Sequence, residues 1–244
     1  MSINIPFESP HNLQSLILLQ PTSGMDDIAV DRKFFRIRLA DTDKHRNAAS
    51  MLINKMYSWR GYGSSIAQQN EHPNRITLVA SVDSATIGTI TSAFDSEMGL
   101  LADELYKQEV DQARKQERFV CEFIKLAVDQ YSGSKKMVLA SLFHIAYIYA
   151  RLLNHADDVF IEVNPRHVGF YKRMLGFQQA GEEKLCLRVN APAVLLRLDF
   201  AQADEQITKL GGKAGRVPSE KSLYPYFFSK KEEEGMVKRI TEIN

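Results

Sequence analysis

Residues 119–128 have the sequence Phe-Val-Cys-Glu-Phe-Ile-Lys-Leu-Ala-Val, and this stretch decides the fold class. It is apolar on both faces except for two charges. That pattern is typical of a central strand whose two faces are both covered. We therefore expect an α/β domain built around one mixed sheet, with this strand in the middle.

C-terminal to this stretch, the pattern predicts a helix, a strand, a short helix and a strand. Residues 137–153 are apolar nearly all round, which is typical of a buried helix. The next strand is predicted at residues 159–163. Asn164, with a proline after it, begins a short helix that stops at Gly176. Residues 184–189 are predicted to form the last strand.

N-terminal to residues 119–128, the pattern predicts a strand, a helix, a hairpin and a helix. Apolar and basic residues alternate over residues 35–39, which favours a half-buried strand. The acids and threonine of residues 41–43 can cap a helix that runs to about Trp59. Two β-rich runs, 76–82 and 86–94, are separated by a short turn and predict a hairpin. The polar residues 100–118 are predicted to be helical.

The chain divides into three segments by composition. Residues 1–30 are punctuated by proline and glycine and are predicted to be irregular. Residues 31–210 carry the α/β pattern. Residues 211–244 begin with two glycines and continue into an aromatic cluster and a charged helix. We expect this last segment to be an arm that packs on the domain.

Composition limits the function classes. The 244 residues are 44% hydrophobic and 25% charged, with a formal net charge of +1, so no global field favours a nucleic acid partner. Cys121 and Cys186 lie in apolar runs and are predicted to be buried free thiols, which suits a reducing cytoplasm. The apolar run 16–19 is too short for a signal peptide, and 137–153 is too short and too polar for a transmembrane segment. We therefore expect a cytoplasmic protein.

Several motifs carry a resemblance to known families. Residues 170–177, Phe-Tyr-Lys-Arg-Met-Leu-Gly-Phe, together with the element order, resemble the last helix and turn of the GNAT superfamily of N-acetyltransferases. Residues 57–63, 121–128 and 162–167 resemble the bacterial N-acyl amino acid synthases, which are relatives of the acyl-homoserine-lactone synthases. The resemblance covers roughly residues 34–200. It implies a GNAT-like acyltransferase domain with a single mixed sheet flanked by helices, followed by a C-terminal extension.

The resemblance implies a reaction and its substrates. A long-chain fatty acyl group would move from an acyl carrier protein thioester to the amine of an amino acid or a similar small acceptor. The co-substrate would be acyl-phosphopantetheine on the carrier protein, or acyl-coenzyme A, with no covalently bound cofactor. An acyl-homoserine-lactone synthase would also need an S-adenosylmethionine site, for which the sequence gives no support.

Glu122 is the candidate catalytic residue. Amide formation from a thioester needs a base that removes a proton from the amine, directly or through water. Glu122 is a lone carboxylate on an apolar strand face, where burial should raise its pKa. The alternative is a buried glutamate paired with Arg36 or Arg38. Backbone N–H groups of the same strand could hold the carbonyl oxygen if a bulge frees them.

The donor is expected at the start of the buried helix. A helix N-terminus favours anions, so Gly133, Ser134, Lys135 and Lys136 are candidate donor-binding residues. The alternative is that the two lysines are simply solvated. The glycine-rich pyrophosphate loop of coenzyme A-dependent relatives is absent, since only Gly133 is present. This favours a carrier protein, which presents a single phosphate.

Three further residues, Lys125, Asn164 and Tyr171, are candidate donor-binding residues. Acyl-homoserine-lactone synthases usually carry Glu, an apolar residue and then Ser-Arg or Thr-Arg on the central strand. Lys125 keeps the positive charge here. Asn164 begins the last short helix. Tyr171 matches the tyrosine that protonates the leaving thiolate in common GNAT enzymes. Four residues rather than three follow it before the Gly-Phe turn, a rotation of about 100°, so the sequence predicts that Tyr171 faces elsewhere and leaves its acid role open.

Trp59, Arg60 and Tyr62 are candidates for the acceptor or acyl pocket. The aromatic rings could form walls, and the guanidinium could bind an acceptor carboxylate. The alternative is a helix end packed on the core. His144 is predicted to pack in the core with one hydrogen bond.

No metal site is predicted. Asp95, Asp103 and Glu104 are interpreted as loop and helix-cap acids. Two rival functions stay open at this point. One is a coenzyme A-dependent acetyltransferase for small acyl groups, and the other is a catalytically inactive domain that binds lipid or a partner.

Overall fold

The computed structural model describes residues 16–19, 34–59, 74–129 and 135–241. These residues form one mixed sheet with helices on both faces, which confirms the predicted α/β class. The strands are β1 (Leu16–Leu19), β2 (Phe34–Leu39), β3 (Arg75–Val82), β4 (Ala85–Phe94), β5 (Val120–Val128), β6 (Asp158–Val163), β7 (Gln178–Gln179), β8 (Lys184–Cys186) and β9 (Ala191–Asp199). The helices are α1 (Asp43–Ser58), α2 (Asp103–Lys115), α3 (Lys135–Tyr147), α4 (Pro165–Leu175), α5 (Phe200–Leu210) and α6 (Lys230–Thr241).

The strand order is β1-β2-β3-β4-β5-β6-β9-β7, with β8 also paired to β9. All of these pairs are antiparallel except β5 with β6, which are parallel. The predicted hairpin is β3–β4, and the predicted central strand is β5. The caps also agree with the sequence, since the side chain of Thr42 begins α1, that of Asn164 begins α4, and Gly176 ends α4 with φ of 81°.

Two irregularities of β5 shape the middle of the sheet. Thr89 and Thr91 of β4 pair with Ala127 and Ile124 of β5, so β5 carries an extra residue, and Lys125 has φ of 55°. This is a β-bulge. The pairing of β5 with β6 covers only residues 120–122 of β5, so the two strands separate after Glu122.

Helices cover the two faces of the sheet differently. On one face, called the α3 face here, Val138 and Leu142 of α3 pack against Gly88 of β4, where a Cβ would lie only 3.0 Å from each side chain. On the other, the α1–α2 face, Met56 of α1 packs against Ala127 of β5. Helix α2 covers β6 and β9 on that same face through a buried cluster that includes Tyr106 and Phe160.

The structure corrects the sequence prediction in three places. The strand predicted at residues 184–189 is only the three-residue β8, and the long strand β9 beside β6 was not predicted. Helix α5 was not predicted either. Strand β1 lies in the N-terminal segment that was predicted to be irregular. Strand β9 pairs with β6 and β1 pairs with β2, and local patterns do not reveal pairing between separated segments.

The C-terminal segment packs on α3 around His144, which is fully buried. Its Nδ1 accepts a hydrogen bond from the Phe228 N–H at 2.9 Å, so the proton lies on Nε2, which donates to Glu233 at 2.9 Å. The ring stacks on Phe227 with centroids 4.7 Å apart. Burial lowers the pKa of His144. His144 is therefore a packed core residue, as predicted. It makes two side-chain hydrogen bonds rather than the one that was expected.

Residues 135–153 run through α3 and a π-helical turn, Ile148–Leu153. By length and composition alone, these 19 residues could cross a membrane, so the helix is longer than the sequence predicted. Two-thirds of it (67%) is buried inside the domain, as in the core helix of a folded α/β protein. Cys121 and Cys186 are buried and free, as expected, and burial raises the pKa of Cys121.

Candidate active site

A cavity of about 410 Å³ lies where β5 and β6 separate. Its volume falls in the range of small-molecule sites. Because the gap between the strands opens the sheet, side chains from both faces line it. The lining residues are Tyr57, Ile90, Leu101, Phe123, Ile124, Lys125, Leu126, Phe143, Ile161, Glu162, Val163, Asn164, His167, Tyr171, Cys186, Arg188, Val189, Ala191, Pro192 and Ala193.

The two halves of this lining differ in chemistry. The residues that the strands and α3 contribute from the α3 face are apolar and include Phe123, Ile161 and Phe143. Phe123 and Phe143 contact each other with ring centroids 6.4 Å apart. The α1–α2 face contributes Glu162 and Lys125, with Arg188 beside them. The cavity therefore joins an apolar half to a charged half through the gap in the sheet.

Glu162 is the carboxylate at the gap. It lies two residues beyond Phe160, which pairs with Glu122, so it shares the α1–α2 face just after β5 has left β6. Its Oε1 is buried and has no hydrogen-bond partner among the described residues. Burial raises the pKa of Glu162 to about 7, with the Arg188 charge opposing the shift and the Glu122 charge adding to it. A carboxylate with this pKa and a spare oxygen is suited to accept a proton near neutral pH.

Arg188 holds the other oxygen of Glu162. Its guanidinium pairs with Glu162 Oε2 and with Glu104, and it also donates to the Leu101 carbonyl at 3.3 Å. These contacts fix the Glu162 side chain and leave Oε1 without a hydrogen-bond partner among the described residues. The sequence predicted that Glu104 is a loop or helix-cap acid. In the structure, its carboxylate pairs with Arg188.

Glu122 occupies a different environment. It is 2% exposed, and it does not belong to the cavity lining. Its two carboxylate oxygens accept hydrogen bonds from the N–H groups of Leu101 at 2.8 Å and Ala102 at 3.0 Å, just before α2. Burial raises its pKa, and these two hydrogen bonds oppose the shift. Its hydrogen bonds within the described chain go to this backbone rather than to Arg36 or Arg38, the pairing that the sequence left open.

The bulge provides backbone donors at the same place. Beyond Glu122, β5 has no β6 partner, so its N–H groups on that side are not used in the sheet. The bulge at Lys125 also interrupts the pairing with β4. Free N–H groups on a rigid strand are the donors that a developing oxyanion needs. From the sequence, these N–H groups were expected to be free only if a bulge interrupted the strand. The structure contains that bulge.

Helix α4 closes one end of the cavity. Asn164 caps the helix by accepting from the Arg166 N–H at 3.3 Å and donates to the Pro192 carbonyl at 3.3 Å. Tyr171 lines the cavity, with its ring edge-on to Phe143 at 6.3 Å between centroids. Despite the extra residue before the Gly-Phe turn, Tyr171 faces the gap. His167, one turn before it, also lines the cavity and was not predicted.

The predicted lysines lie in separate places. Lys125 lines the cavity at the bulge, and burial lowers its pKa, with the Arg75 charge adding to the effect. Lys135 is exposed at the start of α3. Lys136 lies with its Nζ 4.2 Å from the ring centroid of Tyr226, a cation–π contact to the C-terminal segment.

The remaining predictions fall outside the cavity or outside the described chain. Trp59 is 67% exposed at the end of α1 and does not belong to the lining, whereas Tyr57 does. Arg60, Tyr62, Gly133 and Ser134 lie outside the described residues.

The predicted loop acids form an ion network. Asp95 and Asp103 both bind the guanidinium of Arg114, at 2.7 Å to Nε and 2.7 Å to Nη1 respectively. Asp111 of α2 contacts the same arginine. Asp95, just after β4, therefore links Arg114 of α2 to the end of that strand, whereas Asp103 and Asp111 contact Arg114 within α2.

Comparison with known proteins gives a family match. A family profile described as N-acyl amino acid synthase FeeM matches residues 48–199. The solved structure of FeeM, an N-acyl amino acid synthase from uncultured soil microbes, is 28% identical and superimposes with a TM-score of 0.64, covering 70% of this chain and 94% of that one. A search of curated proteins gave no match.

Other solved structures match more distantly. Escherichia coli ElaA is 9% identical, with a TM-score of 0.49 over 68% of this chain and 99% of its own. The acyl-homoserine-lactone synthase LasI is 12% identical, with a TM-score of 0.49 over 68% of this chain and 90% of its own.

Proposed function

Because the chain belongs to the family of N-acyl amino acid synthase FeeM and is an N-acyltransferase of the GNAT-like fold, we propose that it joins a long-chain fatty acyl group to the amine of an amino acid. The acyl group would arrive as a thioester on the phosphopantetheine arm of an acyl carrier protein.

One observation carries this proposal. The cavity at the β5–β6 gap joins an apolar half to a charged half, and its lining includes Glu162, whose Oε1 has no partner in the part of the chain that the structure describes. An acyl chain gains about 0.8 kcal/mol for each methylene group that it buries, so it favours the apolar half. A charged acceptor favours the half that holds Glu162 and Arg188. The thioester carbonyl would then lie at the bulge, where the two halves meet.

The chemistry follows from this arrangement. The neutral amine attacks the thioester carbonyl, a C–N bond forms, and the carbonyl oxygen becomes negative beside the free N–H groups of β5. Glu162 takes the proton from the amine nitrogen. The C–S bond then breaks, and the thiolate leaves with a proton, for which the hydroxyl of Tyr171 is the candidate source. Glu122, the base that the sequence favoured, remains the alternative proton acceptor.

Surface charge supports a carrier protein as the donor. Lys135 at the start of α3 and Arg166, Lys172 and Arg173 on α4 are all exposed. Asn164, Tyr171 and His167 line the cavity at this same helix. Carrier proteins are acidic and present one phosphodiester, so exposed cations beside the cavity suit them.

The test is mass spectrometry of lipids from cells that overexpress this chain, compared with cells that overexpress its Glu162→Gln variant. The expected result is an N-acyl amino acid that appears only with the wild-type chain. Its mass would identify the acceptor and the chain length together. If only short N-acyl products accumulate, the protein is a small-acyl acetyltransferase instead.

A further inference from the structure

Lys125 is a partly buried cation at the bulge of β5. Its φ of 55° lies in the left-handed region, which costs conformational energy for residues other than glycine. The other four non-glycine residues with positive φ in the described chain lie outside the strands and helices, whereas Lys125 lies inside a strand. Bulges often re-aim a side chain next to an active site. The strained backbone at Lys125 therefore indicates that this side chain has a function.

The bulge brings the Lys125 side chain to the cavity. Lys125 belongs to the lining, and it lies two residues before Ala127, which packs on α1, so it shares the α1–α2 face with Glu162. Beyond Glu122, the same stretch of β5 has no partner on β6. The cation and the free backbone N–H groups therefore belong to one short segment, at the place where the thioester carbonyl would lie.

No anion of the described chain neutralises Lys125. Its ammonium group makes neither a hydrogen bond nor an ion pair with the residues that the structure describes. Burial lowers its pKa, the charge of Arg75 adds to this effect, and no carboxylate of the described chain opposes it. Arg75 differs, because the charge of Glu122 acts on it and offsets part of its burial. Buried charges are normally paired, so Lys125 lacks compensation before the reaction begins.

An uncompensated cation suits a site where negative charge appears only during the reaction. The thioester carbonyl oxygen is uncharged in the bound donor. When the amine attacks, the C–N bond forms and the π electron pair of the carbonyl moves to oxygen. The pair returns when the C–S bond breaks. A contact that strengthens only in the transition state accelerates the chemical step, and a fixed charge partly removed from water acts strongly there.

We propose that Lys125 is a catalytic residue whose ammonium group stabilises the carbonyl oxygen as it becomes negative, together with the free N–H groups of β5. Lys125 keeps its proton throughout. This inference rests on the proposed function, because it names a group that acts in that reaction. Negative charge also develops on the leaving sulfur, for which Tyr171 of α4 is the candidate proton source. Position favours the oxygen, since Lys125 lies on the strand that carries the backbone donors.

The experiment measures kinetics with a long-chain acyl-pantetheine and the amino acid that wild-type protein acylates from a mixture of the standard amino acids. Lys125→Met keeps most of the side-chain stem and removes the charge. It should lower kcat by about 10²- to 10³-fold, the scale of one lost oxyanion donor, and leave both KM values within a few-fold of wild type. Lys125→Arg should retain more of kcat. Lys115→Met, at an exposed position on α2, is the control and should change neither quantity.

A binding measurement tests the charge without turnover. An alkylphosphonate analogue of the acyl-pantetheine carries a negative oxygen on a tetrahedral phosphorus, whereas a ketone analogue carries a neutral carbonyl. Lys125→Met should weaken binding of the phosphonate by about 10- to 100-fold, the scale of one lost charge-assisted hydrogen bond. It should leave binding of the ketone unchanged. If Lys125→Met does not fold, Lys125→Gln provides the same two comparisons.

Turnover of Lys125→Met within a few-fold of wild type would contradict the inference. A higher KM for donor or acceptor at unchanged kcat would make Lys125 a binding residue, and the inference would be wrong. A third contrary result is a loss of kcat that disappears with an acyl thioester of nitrothiophenol, whose thiolate leaves without a proton, because Lys125 would then act on sulfur. If wild-type protein forms no N-acyl product from the mixture, the proposed function itself has failed, and the inference fails with it.

Discussion

Glu122 and Glu162 lie on the same face of two neighbouring parallel strands, yet of the two only Glu162 keeps a carboxylate oxygen without a partner among the described residues. Glu122 accepts two backbone N–H groups before α2. Glu162 lies where the strands have separated and belongs to the cavity lining, with one of its oxygens held by Arg188. The two glutamates therefore differ in role: Glu122 holds the backbone before α2, whereas Glu162 has an oxygen that can accept a proton.

Glu162→Gln should lower turnover by about 10²- to 10⁴-fold without unfolding the protein. The amide keeps the shape of the side chain but cannot accept the amine proton. In wild-type protein, kcat/KM should rise as the pH rises through about 7, because the base must be deprotonated. The variant should lose this rise, which a pH profile with a saturating donor would measure. A pH profile unchanged in Glu162→Gln would assign the base elsewhere.

The same pKa shift predicts a stability effect. Because the folded-state pKa of Glu162 is raised from 4.5 to about 7, the folded protein binds this proton more tightly than the unfolded chain. Stability from this group is therefore present below about pH 4.5 and is lost as the pH rises to about 7. Chemical denaturation of wild-type protein and Glu162→Gln across this range should differ in slope, with the variant flatter.

Glu122→Gln tests the other carboxylate. Its oxygens accept the N–H groups of Leu101 and Ala102, so an amide nitrogen would face one of these donors. We expect a loss of about 1–3 kcal/mol in the free energy of unfolding, the cost of a buried group without its partner. Turnover per folded molecule should change much less than in Glu162→Gln. A 10²-fold loss of turnover at unchanged stability would instead make Glu122 the base.

These two residues also show what the sequence could and could not predict. Both are carboxylates in largely apolar strands, and from the sequence Glu162 could be a base for the same reasons as Glu122. The two glutamates differ in their hydrogen-bond partners because the N–H groups of residues 101 and 102 bind Glu122, and because β5 and β6 separate beyond it. Neither feature can be predicted from the residues next to the two carboxylates in the sequence. The β3–β4 hairpin, by contrast, was predictable because its strands and turn are adjacent. The pairing of β9 with β6 joins distant segments, and it was missed.

Chain-length selection tests the apolar half of the cavity. If each buried methylene group contributes about 0.8 kcal/mol, kcat/KM should rise several-fold for each one added until the cavity is full. Leu126→Trp should fill part of that space and shorten the preferred chain, measured with a series of acyl donors at fixed acceptor. Leu187→Trp is the control, because Leu187 is exposed and outside the lining. An acetyl donor that outperforms long chains would contradict the proposal.

The buried pair of His144 and Glu233 should make the fold acid-sensitive. Hydrogen bonds from His144 and Lys230 outweigh burial and lower the pKa of Glu233, and burial lowers that of His144. Unfolded histidine, with a pKa near 6.5, takes up a proton that the folded protein excludes. Stability should therefore fall as the pH drops below about 6.5.

Glu233→Ala should lower the free energy of unfolding by about 1–3 kcal/mol, because it leaves the Nε2–H of His144 buried without a partner. Glu234→Ala, at the exposed neighbouring position, is the control. Thermal unfolding at several pH values would measure both effects. Equal stability of the two variants would show that the pair does not hold the C-terminal segment to α3.

Recognition of a carrier protein should depend on charge. Reversing Lys135 and Lys172 to Glu should raise KM for acyl carrier protein far more than for a free acyl-pantetheine, because these cations are exposed beside the cavity and would meet an acidic surface. Lys135 is a cleaner choice than Lys136, whose contact with Tyr226 would be lost as well. Association with the carrier protein should also weaken as salt rises to physiological strength, where exposed charges are screened beyond about 8 Å. The control reverses Lys115 and Lys209, which are exposed on α2 and α5. If acyl-coenzyme A supports an equal or higher kcat/KM, and salt leaves the carrier-protein reaction unchanged, the donor is coenzyme A and only the acyltransferase assignment remains.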